Sequence, residues 1–272
     1  MAENKIWFVT GASSGFGRTW TEAALSRGDR VFATARNASA LDDLTDRFGD
    51  LVATAPLDVT DRAAVFDTVE IAHEHFGRLD VILSNAGYSY TGAIEELDFD
   101  DAKSNFDTNV FGTLSVIQAA LPILRAQGSG HILTVSSIGG IASFPTGGAY
   151  VASKFAVEAL SESLAGEVAG HGIHVTIIEP GSYSTSFGSN VKAPAKMPEY
   201  DAVRAAIYAS FSPDTTGDPA ATAAAILKVV DSDAPPLRLI LGDWVLDRFK
   251  GVYSDRISTW ESWADVSAAA QR

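Results

Sequence analysis

Tyr150 and Lys154 stand four residues apart in Tyr150-Val151-Ala152-Ser153-Lys154, which puts a phenol and an ammonium on one helix face. A free phenol titrates near pH ~10. A neighbouring cation favours the phenolate, so Lys154 is expected to lower that value and make Tyr150 a usable general acid or base. The same spacing also occurs in ordinary surface pairs, so the surroundings must decide. Ser136 and Ser137 close an apolar run shortly before this pair, and Asn109-Val110-Phe111-Gly112 lies in a preceding long helical pattern.

A second constellation lies near the N-terminus. An apolar run leads into Thr10-Gly11-Ala12-Ser13-Ser14-Gly15-Phe16-Gly17, and a helical pattern follows. Glycines there permit a tight turn and close approach of phosphate oxygens to the backbone, while a helix N-terminus offers free N–H groups to an anion. The spacing is G-x-x-x-G-x-G rather than G-x-G-x-x-G, and a turn without a ligand would read the same in isolation. The next apolar run ends Thr34-Ala35-Arg36, with no carboxylate at its tip to hold a ribose 2′-hydroxyl. Arg36 is instead suited to a 2′-phosphate, which favours NADP(H) and leaves NAD(H) possible. Asp29 lies at the wrong end of that run to serve. Further along, Asp58 and Val59 follow the third run. Asp58 reads equally as an acceptor for an adenine amino group or as a turn and helix-capping carboxylate. Asn85-Ala86-Gly87 forms a small-residue turn after the fourth.

The elements that position these groups alternate. Strands are expected at Lys5–Thr10, Arg30–Ala35, Leu51–Leu57, Leu79–Ser84, Gly130–Ser136, His174–Glu179 and Leu237–Leu241. Their near-continuous apolarity suits strands covered on both faces. Helices are expected at Asp61–Phe76, at Asp100–Arg125 with a bend from Pro122, at Ala149–Ala169, at Glu199–Phe211 and at Ala220–Val230. This alternation defines an α/β fold, a doubly wound parallel sheet with helices on both faces.

Composition narrows the function. The chain has 272 residues, 46% hydrophobic and 20% charged, with 34 Asp plus Glu against 20 Lys plus Arg, a net charge of −14. Such a balance argues against nucleic acid and anionic membrane as partners. Cysteine is absent and the five histidines are scattered, so neither a disulfide framework nor a metal site is expected. With no signal-peptide pattern and no run of about 20 apolar residues, a cytoplasmic protein is expected. Residues 1–272 read as one Rossmann-type domain. A substrate loop covers about 182–219, and a C-terminal elaboration covers about 242–272.

Taken jointly, Thr10-Gly11-x-x-x-Gly15-x-Gly17, Asn85-Ala86-Gly87, Asn109, Ser137 placed thirteen before Tyr150, Lys154, and Pro180-Gly181 with Thr185 resemble the short-chain dehydrogenase/reductase family. The resemblance runs from Lys5 to about Thr185, closest to its hydroxysteroid- and retinol-dehydrogenase-like or ketoreductase branch. It implies strand order 3-2-1-4-5-6-7 and a nicotinamide cofactor held by Gly11, Ser13, Ser14, Gly15, Phe16, Gly17, Arg36, Asp58, Val59, Asn85, Ala86, Gly87, Pro180, Gly181 and Thr185. It also implies catalysis by Asn109, Ser137, Tyr150 and Lys154, the last two also touching cofactor. By this resemblance Tyr150 exchanges a proton with the substrate oxygen and Ser137 orients that oxygen. Lys154 binds the nicotinamide ribose, and Asn109 braces the helix. A basic residue common at the Ser14 position in NADP-dependent members is absent, so Arg36 must supply most of the cofactor preference. A homodimer or homotetramer is implied.

Substrate choice is expected in the loop after Gly181, in Ser143-Phe144-Pro145 and near Tyr88 and Tyr90, surroundings that suit a hydrophobic ketone, aldehyde or alcohol. Trp244, Phe249, Tyr253, Trp260 and Trp263 are expected to pack in the core or between subunits. A non-catalytic nucleotide sensor on the same sheet and a methyltransferase remain alternatives. The intact Ser137, Tyr150 and Lys154 count against the first. The missing acid at the second strand tip counts against the second.

Overall fold

The computed structural model describes residues 4–185, 187, 191–210 and 215–271. Seven strands form one parallel sheet: β1 Ile6–Thr10, β2 Arg30–Ala35, β3 Val52–Pro56, β4 Val81–Ser84, β5 Gly130–Val135, β6 Ile173–Pro180 and β7 Arg238–Leu241. Their order is β3-β2-β1-β4-β5-β6-β7, as expected.

Period-two alternation assigns each side chain to a face. In β1, Phe8 joins a core with Phe32, Ile82 and Ile132, while Trp7 and Val9 join a second core with Val31, Leu83 and Leu133. The first core is closed by helices α3 (Arg62–Phe76), α5 (Thr113–Gln127) and α6 (Gly148–Val168). The second is closed by α1 (Gly15–Ser26), α2 (Asp42–Phe48) and α8 (Ala223–Val230). Each fully buried Leu, Ile, Val or Phe contributes roughly 1.5–3 kcal/mol relative to exposure, so the two cores dominate the fold's stability. Polar pins sit within them. The Trp20 indole donates to Thr222 Oγ1 at 2.7 Å and ties α1 to the segment entering α8. Asp29 accepts from the Trp7 indole at 2.7 Å, at the end of the sheet away from the glycine turn.

The helical pattern expected over Asp100–Arg125 is one continuous helical run with three parts. These are α4 (Phe99–Phe106), a π-helical segment Asp107–Gly112, and α5 with Pro122 inside it. The widened segment carries Asn109. By length and mean hydropathy (1.2 over its most apolar window) the run Phe99–Gln127 could cross a membrane, but 61% of that window is buried within the protein.

The expected helix Glu199–Phe211 begins as a 3₁₀ turn at Pro198–Tyr200 and continues as α7 (Asp201–Ser210), with Phe211 outside the described residues. Within the expected substrate loop, residues 186, 188–190 and 211–214 also lie outside the description. The C-terminal region is helical: α9 (Val245–Ser262) and α10 (Ala264–Ala269). Phe249 packs on Ile141 and Ala142 as expected, together with Val245. Trp260 and Trp263 do not pack in this chain's core; they are 67% and 63% exposed.

Candidate active site

The C-terminal ends of β1 to β6 open into one cleft of about 530 Å³. At its floor, Gly11 (φ +69°) and Gly15 (φ +56°) adopt left-handed conformations that favour glycine. Ser14 caps α1 through its backbone alone, with no side-chain hydrogen bond to the first helical N–H groups. Those groups stay unclaimed by a capping side chain, which fits a phosphate at this end. Thr10 Oγ1 accepts from the N–H groups of Asn85 and Ala86 at 3.0 and 3.1 Å, and Asn85 Nδ2 donates to Gly11 O at 3.1 Å, locking two turns together. Gly17 lies behind the cleft. A Cβ there would meet Gly11 O at 2.3 Å and Asn85 Nδ2 at 2.4 Å.

Ser13, Phe16, Arg36, Asp58, Val59, Ala86, Gly87, Pro180, Gly181 and Thr185 border the same cleft. Asp58 serves the turn: Oδ1 accepts from Thr60 N at 3.0 Å and from Thr60 Oγ1 at 2.8 Å. These bonds, chiefly the backbone one, and nearby Arg36 hold its carboxyl below the usual range against the effect of burial. Arg36 is exposed at the tip of β2 and forms no salt bridge among the described residues. It also faces a wider adjoining basin of about 1080 Å³ that carries Arg62, Lys103 and Lys192.

The opposite wall is built by β5 and α6. Ser137 caps the 3₁₀ turn Ile138–Gly140, accepting from Gly139 N at 3.0 Å, and its hydroxyl lies close enough to Tyr150 to affect its titration. Lys154 Nζ donates to Val135 O at 2.8 Å and lies 5.9 Å from the Tyr150 ring centre. Asn109 is 1% exposed and does not line the cleft. Its Nδ2 donates to Tyr88 O at 3.0 Å and Ser153 Oγ at 2.9 Å, and its Oδ1 accepts from Tyr88 N at 3.0 Å.

The expected lowering of the Tyr150 pKa is not what the folded protein does. Burial raises it to about 12, and nearby Ser137 pulls the other way. Lys154, itself buried, is pushed down to about 8 by desolvation, with Glu158 opposing. Both groups lose water, and that loss is the largest cause of each shift.

Five features go beyond what spacing in the sequence shows. Ser153 Oγ links Asn109 to Tyr150 O, donating to the latter at 2.6 Å. It lies inside the Tyr–Lys spacing, on the helix turn that Tyr150 begins, which was the available signal. Thr10 locks the glycine turn, as described. Phe187 sets its ring 5.6 Å from that of Tyr150, and Tyr183 packs edge-on against Phe16 at 5.2 Å. Tyr90, expected near the substrate, is fully buried with its hydroxyl accepting from Asp98 N at 2.8 Å.

A doubly wound parallel sheet with a glycine-floored nucleotide cleft and a Ser–Tyr–Lys wall defines a nicotinamide-dependent oxidoreductase. The chain belongs to the short-chain dehydrogenase/reductase family, whose model for short chain dehydrogenases matches residues 5–196. It is 41% identical to the oxidoreductase BOA17 of Botryotinia fuckeliana over 272 residues, covering 98% of this chain and 99% of that one. The crystal structure of a short-chain dehydrogenase from Streptomyces avermitilis matches with a TM-score of 0.91 at 39% identity, covering 99% of both chains. An alcohol dehydrogenase from the archaeon Thermococcus sibiricus, complexed with 5-hydroxy-NADP, matches with a TM-score of 0.74 at 26% identity, over 88% of this chain and 97% of that one.

Proposed function

We propose that the enzyme interconverts a hydrophobic ketone or aldehyde and its alcohol, with NADP(H) preferred and Tyr150 as the acid/base. The observation carrying this reading is that Ser137, Tyr150 and buried Lys154 line the same cleft as the glycine turn, with Lys154 tied to Val135 O. Gly11, Ser13, Ser14, Gly15 and Phe16 would hold the pyrophosphate, Arg36 the 2′-phosphate, and Lys154 the nicotinamide ribose. When bound, the nicotinamide supplies or accepts the hydride.

Tyr150 Oη donates a proton to the carbonyl oxygen in reduction and takes one from the alcohol in oxidation. Ser137 Oγ holds the same oxygen and fixes its distance from the phenol. A phenol held protonated by burial is in the right state to donate. The charge that develops on it during transfer is stabilised by the Lys154 ammonium in a site of low dielectric. Asn109 acts behind them by fixing the Tyr88 backbone and, through Ser153, the first turn of α6.

Ile138, Phe144, Tyr183 and Phe187 line the cleft, with Phe187 beside Tyr150, which supports an apolar substrate. The loop over about 182–219 would set the choice among such substrates, and a homodimer or homotetramer is the expected assembly. A panel of ketones and alcohols followed by NADPH oxidation or NADP reduction tests the reading. Turnover of apolar carbonyls is expected. A higher kcat/KM with NADH would overturn the role given to Arg36.

A further inference from the structure

Behind the catalytic wall lies a polar cluster that the reaction as described does not use. Glu158, on α6 one turn beyond Lys154, is 6% exposed, and Glu179, next to Pro180 at the end of β6, is 0% exposed. The two carboxyl groups converge on a single atom, Arg238 Nε, at 3.3 and 3.4 Å, and each perturbs the other's titration. Ser136 Oγ, one residue before Ser137, faces Glu158. A Cβ at Gly140 would meet Ser136 Oγ at 2.4 Å and Glu158 Oε1 at 3.0 Å, so the turn after Ser137 is packed down onto the cluster. On the far side, Arg238 of β7 places Nε 3.3 Å from Glu158 and 3.4 Å from Glu179, and its Nη2 reaches Glu162 of α6 at 2.9 Å.

As two carboxylates this pair would be badly satisfied. All four of its oxygens, and Ser136 Oγ, are buried with no hydrogen-bond partner among the described residues. Two buried like charges this close also repel strongly, and a single guanidinium offsets only one of them. One proton placed between them converts the repulsion into a carboxyl–carboxylate hydrogen bond and leaves one negative charge for Arg238. Burial pushes both carboxyl groups upward in the same direction, and at Glu179 the Glu158 charge adds to it.

We propose that Glu158 and Glu179 share one proton at neutral pH and act as a positioning pair for Lys154. The pair joins the three chain segments that carry Ser137, Lys154 and Pro180-Gly181, so it fixes their relative placement from behind. It also sets the charge that Lys154 feels. The groups facing the pair are Lys154 and Glu162 on α6, Arg238 on β7 and the Ser136 hydroxyl at the end of β5. When the pair loses its shared proton at alkaline pH, a second negative charge appears one helical turn from Lys154 and helps it stay an ammonium. The link to turnover rests on the oxidoreductase reading above. The shared proton and its effect on Lys154 do not.

Two measurements on the free protein test the pair without any substrate. Infrared spectroscopy of the wild type at pH ~7, below the reference lysine range, is expected to show the carbonyl stretch of a protonated carboxylic acid, lost on alkalinisation and removed by Glu179→Gln. NMR of ¹³Cε-labelled lysine should show the Lys154 titration midpoint lower by about one pH unit in Glu179→Gln, and lower still in Glu158→Gln. The alkaline limb of kcat/KM is expected to move with it. Absence of the protonated carboxyl at neutral pH, or an unmoved Lys154 midpoint in both variants, would overturn the proposal. Lack of turnover on every carbonyl would sink the oxidoreductase reading, while the infrared and NMR results still judge the pair.

Discussion

Lys154 Nζ donates to the carbonyl oxygen of Val135 at 2.8 Å, so the ammonium on α6 is tied to the strand that leads into Ser137. This bond orients the cation while burial lowers its pKa to about 8. Lys154 therefore loses its proton as pH rises through about 8, well before an exposed lysine would. In the proposed mechanism carbonyl reduction needs that cation, so kcat/KM for reduction is expected to fall on an alkaline limb near pH 8. A pH-rate profile in buffers of constant ionic strength checks this, and a flat profile up to pH ~10, the ordinary lysine range, would contradict it.

Gly17 tests the cofactor cradle apart from the chemistry. A methyl group there would have to displace Gly11 O and Asn85 Nδ2, which themselves hold the turn. Gly17→Ala is expected to weaken NADPH binding at least about tenfold, equal to about 1.4 kcal/mol, and to destabilise the fold by about 1–3 kcal/mol. Fluorescence titration and urea unfolding measure the two effects. Unchanged affinity would mean that the turn is not the phosphate site.

Asn109 has a structural burden that can be measured without substrate. Asn109→Ala leaves the Tyr88 backbone N–H without its side-chain acceptor, leaves Tyr88 O with Asn105 Nδ2 as its remaining side-chain donor, and deprives Ser153 Oγ of a donor. Unfolding in urea is expected to show a loss of about 1–3 kcal/mol, the cost of stranding buried polar groups, together with reduced kcat. Ser153→Ala should show a smaller loss, because it removes the acceptor of one Asn109 bond and the donor to Tyr150 O only.

His131 governs part of the acid stability. Thr176 gives its hydroxyl proton to Pro236 O at 2.7 Å, so His131 Nε2 must be the donor in the 2.9 Å bond to Thr176 Oγ1, with a neutral ring. Burial, with His174 and Lys5 nearby, lowers its pKa to about 3. Between about pH 6.5 and 3 the unfolded chain binds a proton that the folded chain refuses, so stability falls as pH falls across that window. Relative to His131→Gln, the wild type is expected to lose up to about 1.4 kcal/mol per pH unit there. Denaturant unfolding at several pH values checks the difference. The Glu158–Glu179 pair acts in the opposite sense. Its raised pKa gives stability that is full at low pH and fades as pH rises past the ordinary carboxylate range.

Legibility from sequence followed periodicity and spacing. The strands were legible because β1 to β6 are apolar on both faces, and α3 because Asp61 and Gly77 mark its ends, as its cap geometry shows. The Tyr150–Lys154 spacing and the glycine turn were legible because each lies within one element. Contacts between elements were not. Nothing local in Glu158 or Glu179 indicates that α6 and β6 bring them together, and Tyr90 looks like any surface tyrosine until Asp98 is placed against it. The π-helical segment at Asn109 was hidden by a continuous helical pattern, since one widened turn leaves the apolar stripe readable. The Tyr150 pKa departs from the spacing-based expectation because charge proximity can be read from a spacing, whereas depth of burial cannot.

The most direct test of the whole account is Tyr150→Phe, assayed by single-turnover reduction of a carbonyl that the wild type accepts and by NADPH titration. Removal of one hydroxyl should leave NADPH affinity within a few fold and lower the rate about 10²–10⁴-fold, the usual worth of a positioned acid. A rate within a few fold of wild type would contradict the assignment of Tyr150 as the proton donor.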